Sequence, residues 1–159
     1  MIELKKITHD NLQDIVGLSV AENQRRFVAS NAQSIMDAYV AITNDGIALP
    51  FGIYDGEVAV GFIMLTYGMK KDAAMPDVAY RNYCVWRLMI DEKHQGKGYG
   101  QQAMQAALEY MRTFPCGPAE SCWLNYEPEN AGAKAFYEKC GFQETGERFY
   151  GEIVAVKKL

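Results

Sequence analysis

The sequence predicts an α/β fold with a mixed sheet, and three observations carry that expectation. Segments whose apolar residues alternate are interleaved with segments whose apolar residues recur at helical spacing. The order is strand, two helices, three strands, helix, strand, helix, two strands, with neither a repeat nor a linker to divide it. With 159 residues, 49% of them hydrophobic and 23% charged, the chain has the size and composition of one globular unit, so a single domain over residues 1–159 is expected.

Residues 1–7 alternate well enough for an opening strand. Thr8 or Asp10 is placed to cap a first helix, with Leu12, Ile15, Val16 and Ser19 on one side. Ser30 and Gln33 have capping-box spacing, and Ile35, Tyr39 and Ile42 continue the stripe of a second helix. The stretch LPFGIYDGEVAVGFIMLTY reads as two strands around an Asp55-Gly56 turn, where glycine supplies a positive φ. A polar connection over residues 68–76 precedes a strand ending near Asp91. From Gly98 onward Met104, Ala107, Leu108 and Met111 share a helical face, and the prolines of PCGP, Pro115 and Pro118, stop that helix. SCWLNY is a short strand, residues 131–140 a helix closed by Gly141, and the tail a last strand pair around Gly151.

Composition excludes several partners. Twenty acidic against sixteen basic residues give a formal charge of -4, which removes the simplest electrostatic case for nucleic acid or an anionic membrane. No run approaches the roughly 18 apolar residues of a membrane helix. The amino terminus carries charge within five residues and no apolar run after it, so no secretory signal is expected and the cytoplasm is the expected location. Cys84, Cys116, Cys122 and Cys140 form no C-x-x-C pair; reduced, packed thiols are expected and no metal site.

The sharpest feature is HQGKGYGQQAMQAALEY, beginning at His94. A strand runs into three alternating glycines, Gly96, Gly98 and Gly100, which open an amphipathic helix. Glycine permits close approach of a ligand to the backbone, and a new helix presents unpaired N–H groups at its positive end, so the loop suits a pyrophosphate. The Rossmann G-x-G-x-x-G spacing fails, because the third glycine comes one residue early. A P-loop fails too, because Lys97 is followed by Gly98 instead of Ser or Thr.

Two motifs together resemble the GNAT superfamily of acyl-coenzyme A N-acyltransferases. Gln95, Gly98 and Gly100, with Gly96, match its Q/R-x-x-G-x-G/A motif. Asn130, Ala133, Phe136, Tyr137, Gly141 and Phe142 match its later run, an Asn ahead of A-x-x-F/L-Y-x-x-x-G-F. The resemblance implies a mixed, mostly antiparallel sheet flanked by helices, with a splayed central parallel pair here ending near Ile90 and Tyr126. It implies acetyl-CoA as donor, with CoA as product. Gln95, Gly96, Lys97, Gly98, Tyr99 and Gly100 would surround the pyrophosphate. The backbones of Leu88, Met89 and Ile90 would hold the pantetheine arm and acetyl carbonyl, with Met89 or Ile90 as oxyanion donor. Asn130 would bond the pantetheine or cap its own helix. Tyr137 would be the general acid, since a phenol of ordinary pKa about 10 keeps its proton at neutral pH.

A protonated amine must shed a proton before attack, and Glu22, Glu57 and Glu120 are the candidate bases; the resemblance favours Glu22, because the loop between the first helices often shapes the acceptor site in that family. Residues 19–31, 48–54, 83–100 and 126–142 resemble the bacterial spermine/spermidine acetyltransferase group, which implies a small polycationic amine and a homodimer. An acidic chain and tyrosines such as Tyr54, Tyr80, Tyr83 and Tyr126 are compatible with cationic ligands. Another small amine, an aminoglycoside or a peptide amino terminus are the alternative acceptors. A non-catalytic acyl-CoA sensor is the alternative class.

Overall fold

The computed structural model describes residues 1–69 and 74–159; Lys70 to Ala73, within the connection read over 68–76, lie outside the described residues. Seven strands form one sheet: β1 (Ile2–Lys6), β2 (Leu49–Asp55), β3 (Val58–Tyr67), β4 (Tyr83–Ile90), β5 (Ser121–Tyr126), β6 (Gln143–Phe149) and β7 (Glu152–Lys158). Their order across the sheet is β1-β2-β3-β4-β5-β7-β6. Every neighbouring pair is antiparallel except β4 with β5, which is parallel. The expected mixed sheet and parallel pair are therefore present. Four helices flank it: α1 (Leu12–Gly17), α2 (Asn31–Thr43), α3 (Tyr99–Arg112) and α4 (Ala131–Lys139).

β3 is apolar almost throughout because both of its faces are covered. Ile63 and Leu65 pack with Phe51, Ile53 and Val85 against Ala103, Met104, Ala107, Leu108 and Met111 of α3. Phe62 and Met64, one residue out of phase, pack with Tyr54 and Met89 against Ile15 of α1 and Ala38 of α2. The two turns read from glycine behave as expected. Gly56 takes φ +62° between β2 and β3, and Gly151 takes φ +83° between β6 and β7.

Two helix expectations are corrected. α1 is entered through Asn11, not capped by Thr8 or Asp10, and the Asn11 side chain instead accepts from the Thr8 N–H at 2.8 Å; Ser19 lies beyond its end. In α2 the Ser30 cap holds, accepting from the Gln33 N–H at 3.1 Å. The buried side of α2, however, is Asn31, Ser34 and Ala38, while Tyr39 and Ile42 are exposed. Small residues let the helix approach closely, and the Asn31 amide donates into the Ile15 carbonyl at 2.8 Å. That polar contact selects a face that apolar spacing does not mark.

Candidate active site

The site begins with one surplus residue. Met64 pairs with Arg87 and Leu65 with Val85, so Trp86 has no partner on β3 and β4 bulges there. A bulge bends its strand and raises its twist. β5 pairs with β4 only at Tyr83 with Cys122 and Cys84 with Trp123, although the strands run on to Ile90 and Tyr126. Beyond Trp123 they diverge, and a cleft of about 1300 Å³ passes through the opening.

Strand parity fixes which backbone groups face this opening. The Asp91 N–H donates to the Val60 carbonyl at 2.9 Å, and a Cβ at Gly61 would collide with the Met89 carbonyl oxygen, so both residues turn their peptide groups toward β3. With period two, Leu88 and Ile90 turn theirs toward the cleft. The Ile90 carbonyl accepts from Gln95 Nε2 at 3.0 Å on that side. Of the two expected oxyanion donors, Met89 is committed to the sheet and Ile90 is not.

The glycine loop lies across the top of this strand. Gly96 and Gly98 take φ +76° and +79°, and Gly98 is the left-handed entry to α3. The first hydrogen bond of the helix runs from the Gln102 N–H to the Gly98 carbonyl, so the N–H groups of Gly98, Tyr99, Gly100 and Gln101 are unpaired among the described residues. A Cβ at Gly96 would meet nothing within 4 Å, which leaves room for phosphate against the loop. At Gly100 a Cβ would press on Phe136 at 3.2 Å, so this glycine seats α3 against α4. Gln95, Gly96, Gly98, Tyr99 and Gly100 line the cleft, whereas Lys97 is exposed and does not.

Three side chains of the expected site are occupied internally: Gln95, Tyr99 and Asn130. Gln95 Nε2 donates to Ile90 and also to Gln24 Oε1 at 2.8 Å, which fastens residues 21–24 to the end of β4. Asp91 adds to that fastening by accepting from the Ser19 N–H at 3.0 Å. The Tyr99 hydroxyl donates to Asp55 at 2.7 Å. Asn130 caps α4, its Oδ1 accepting from the Ala133 N–H at 3.0 Å, while the residue also lines the cleft.

Tyr137 reaches the cleft from α4 within a cage of rings. Phe136 lies at 5.2 Å and Phe142 at 6.0 Å, both edge-on, and Tyr126 stacks at 5.7 Å with planes 30° apart. Loss of solvent around the ring, with Cys140, Cys84, Cys122 and Tyr126 adding to it, pushes the phenol well above its ordinary pKa. No protein group among the described residues hydrogen-bonds its hydroxyl, so the phenol is a protonated, uncommitted donor facing the cleft.

The rest of the cleft lining comes from residues 25–29, the segment just after α2, and β5 and β7. Its carboxylates are Asp45, Glu127 and Glu152; Glu22, Glu57 and Glu120 are absent from the lining. Glu57 instead pairs with Lys5 at 3.5 Å in the β2–β3 turn. Glu152 hydrogen-bonds the Asn125 amide and lies near Arg87; desolvation first, then Glu127, raises its carboxyl above the ordinary range. No local motif marks Glu152, because only the antiparallel pairing of β7 with β5 brings it there. Tyr54 and Tyr83 are buried in the core and unavailable to a ligand, whereas Tyr126, Trp86 and Tyr150 line the cleft.

All four cysteines are free, and burial raises the Cys122 thiol to about 12 and the Cys84 thiol well above its usual value. Among the described residues no group of His, Cys, Asp and Glu is placed to hold a metal ion, and no helix is long and apolar enough to cross a membrane.

The parted β4–β5 pair beside the α3 terminus is the arrangement that the resemblance to acyl-coenzyme A N-acyltransferases implies. Residues 19–142 match the model of the acetyltransferase (GNAT) family, and the chain belongs to that family. It is 33% identical over 162 residues to the spermine/spermidine N(1)-acetyltransferase of Bacillus subtilis (strain 168), covering 99% of both chains. Over 79 residues, 46% of this chain and 44% of the relative, it is 33% identical to the spermidine N(1)-acetyltransferase of Vibrio cholerae. The crystal structure of aminoglycoside acetyltransferase AAC(6')-Ib in complex with coenzyme A has the same fold, with a TM-score of 0.78 at 14% identity over 99% of this chain and 95% of that one.

Proposed function

We propose that this protein transfers the acetyl group of acetyl-CoA to a primary amine of spermine or spermidine. The observation that carries the reading is the cleft itself. Its lining brings the N–H groups of Gly98 to Gln101 and the Tyr137 hydroxyl together with the carboxylates Asp45, Glu127 and Glu152, the rings of Trp86 and Tyr150, and the cations Arg25, Arg26, Arg87 and Lys139. The names of the Bacillus and Vibrio relatives support the polyamine over the other amines.

Acetyl-CoA supplies an acetyl group already activated as a thioester. The chain's part is to hold it and move protons. The N–H groups at the start of α3 receive the pyrophosphate, where the helix dipole favours negative charge. Leu88, Ile90 and Asn130 hold the pantetheine arm in place of the missing β4–β5 ladder. The Ile90 N–H, turned toward the cleft, would donate to the carbonyl oxygen of a bound acetyl group, where negative charge would develop as the amine nitrogen attacks the carbon. Tyr137 would give its proton to the sulfur as the carbon–sulfur bond breaks and regain one from the newly acylated nitrogen, and its raised pKa keeps the phenol protonated throughout the neutral range. Glu152 orients the acceptor's ammonium and takes up the proton it sheds, directly or through water.

The test is a steady-state thiol-release screen with acetyl-CoA and a panel of polyamines, diamines, aminoglycosides and peptides, with product mass reporting one added acetyl group. Spermine or spermidine is expected to give the highest kcat/KM. A value for both well below that of another panel member overturns the acceptor and leaves the transferase assignment standing. No turnover with any member favours an acyl-CoA sensor.

A further inference from the structure

The Tyr137 hydroxyl has no hydrogen bond among the described residues to aim it, so its direction is set by the rings around it. Phe136 and Phe142 touch it by their edges. Tyr126 alone supplies a face, and that face is itself pinned: the Tyr126 hydroxyl donates to Glu144 Oε1 at 2.9 Å, and the same oxygen accepts from Lys134 Nζ at 2.9 Å. Packing a ring at this 6% exposed position needs no hydroxyl, and phenylalanine would fill it. The hydroxyl instead couples the ring to a charged pair drawn from two other elements, β6 and α4.

We infer that Tyr126 is a positioning residue for the Tyr137 phenol, anchored by the Glu144–Lys134 ion pair. The inference rests on the reading of Tyr137 as the proton donor. The closed chain is short: Lys134 and Tyr137 lie one helical turn apart on α4, Glu144 joins Lys134 to Tyr126, and Tyr126 stacks back on Tyr137. Each link limits the tilt of the next. Because the Tyr126 proton is committed to Glu144, only one of the two stacked phenols is free to serve the cleft. Misplacing a reacting group by 1 Å costs up to roughly 100-fold in rate, so a ring held from one side only carries a measurable penalty.

The test is a double-mutant cycle in which single-turnover experiments read the acetyl-transfer rate and steady-state kinetics read KM, with folding checked by circular dichroism and thermal unfolding. Tyr126→Phe keeps the stack and frees the ring from Glu144; the acetyl-transfer rate is expected to fall by about 10-fold while KM for acetyl-CoA and for the amine stays put. Glu144→Leu, on the mostly exposed β6 strand, removes the same anchor without touching the ring and is expected to match it. Glu144→Gln keeps an acceptor oxygen and should lose less. In a Tyr137→Phe background the Tyr126→Phe change should add nothing. An equal loss in both backgrounds, or a rise in KM without a fall in rate, overturns the positioning role. If Tyr137→Phe alone keeps the parent rate, the donor assignment falls and takes the inference with it; if Tyr137→Phe is slow but Tyr126→Phe and Glu144→Leu are not, only the inference falls.

Discussion

The two ends of the β4–β5 pair are built by opposite means. At the start of the pair, Asn82 Oδ1 accepts from the N–H groups of Glu120 and Ser121 at 3.0 and 2.9 Å, and its amide donates to the Val78 carbonyl. The Tyr83 hydroxyl donates to the Gly117 carbonyl and accepts from the Cys116 N–H, both at 3.0 Å. Side chains thus do the closing that a two-pair ladder cannot. At the far end the strands part after Trp123, and the peptide groups of Leu88 and Ile90 have no strand opposite. A parallel pair stitched at one end can stay open at the other, so the stability of the closed end is what lets the open end be a site.

The largest effect expected from breaking this contrast is at the open end. Tyr137→Phe should lower the acetyl-transfer rate by roughly 100- to 10,000-fold with acetyl-CoA affinity and unfolding temperature nearly unchanged. A parent-like rate, measured where chemistry limits turnover, would remove Tyr137 from the mechanism. At the closed end Asn82→Ala should do the reverse. Loss of its bonds to β5 should cost about 1–3 kcal/mol in urea unfolding, with the kcat of the folded protein within about threefold of the parent. A large kcat loss without destabilisation would show that the stitch and the site are not separable. The smallest effect sharpens the contrast at Asn130, which belongs to both worlds. Asn130→Ala should cost about 1 kcal/mol of stability through the lost cap. A parallel rise in KM for acetyl-CoA would place its free amide on the ligand as well; Asn130→Ser, which keeps a cap, would then recover stability and not KM.

The closed parts of the molecule were the more legible in sequence. β5 falls on SCWLNY residue for residue, and α3 was readable from Met104, Ala107, Leu108 and Met111 because one stripe faces one core. In α2 the helix and its Ser30 cap follow from the sequence but the buried face does not, for a physical reason: its buried stripe is Asn31, Ser34 and Ala38, small or polar, while Met36, Tyr39, Val40 and Ile42 remain exposed. In the site, the motifs located the loop and Tyr137, but they do not show how a side chain is used. The Gln95 amide faces Gln24 and Ile90, Lys97 is exposed and outside the cleft lining, and the parity that separates Ile90 from Met89 depends on β3. Glu152 is invisible to any local pattern, since β7 carries it to Asn125 across 27 residues of chain.

The bulge at Trp86 has a meaning in the language of mutation. What opens the sheet is a count of residues between two ladders, not the identity of any one of them. Exchange of Leu88 or Ile90 for another apolar residue of similar volume leaves their peptide groups where they are, so the backbone donors are sheltered from substitution. Deletion is another matter. Removing one residue beside Trp86 would bring the two stretches of β4 into a single register with β3, or turn every residue after the gap to the opposite face. A lineage of such proteins can therefore drift far in sequence and keep its wedge, yet lose it in one step through a loss of three nucleotides.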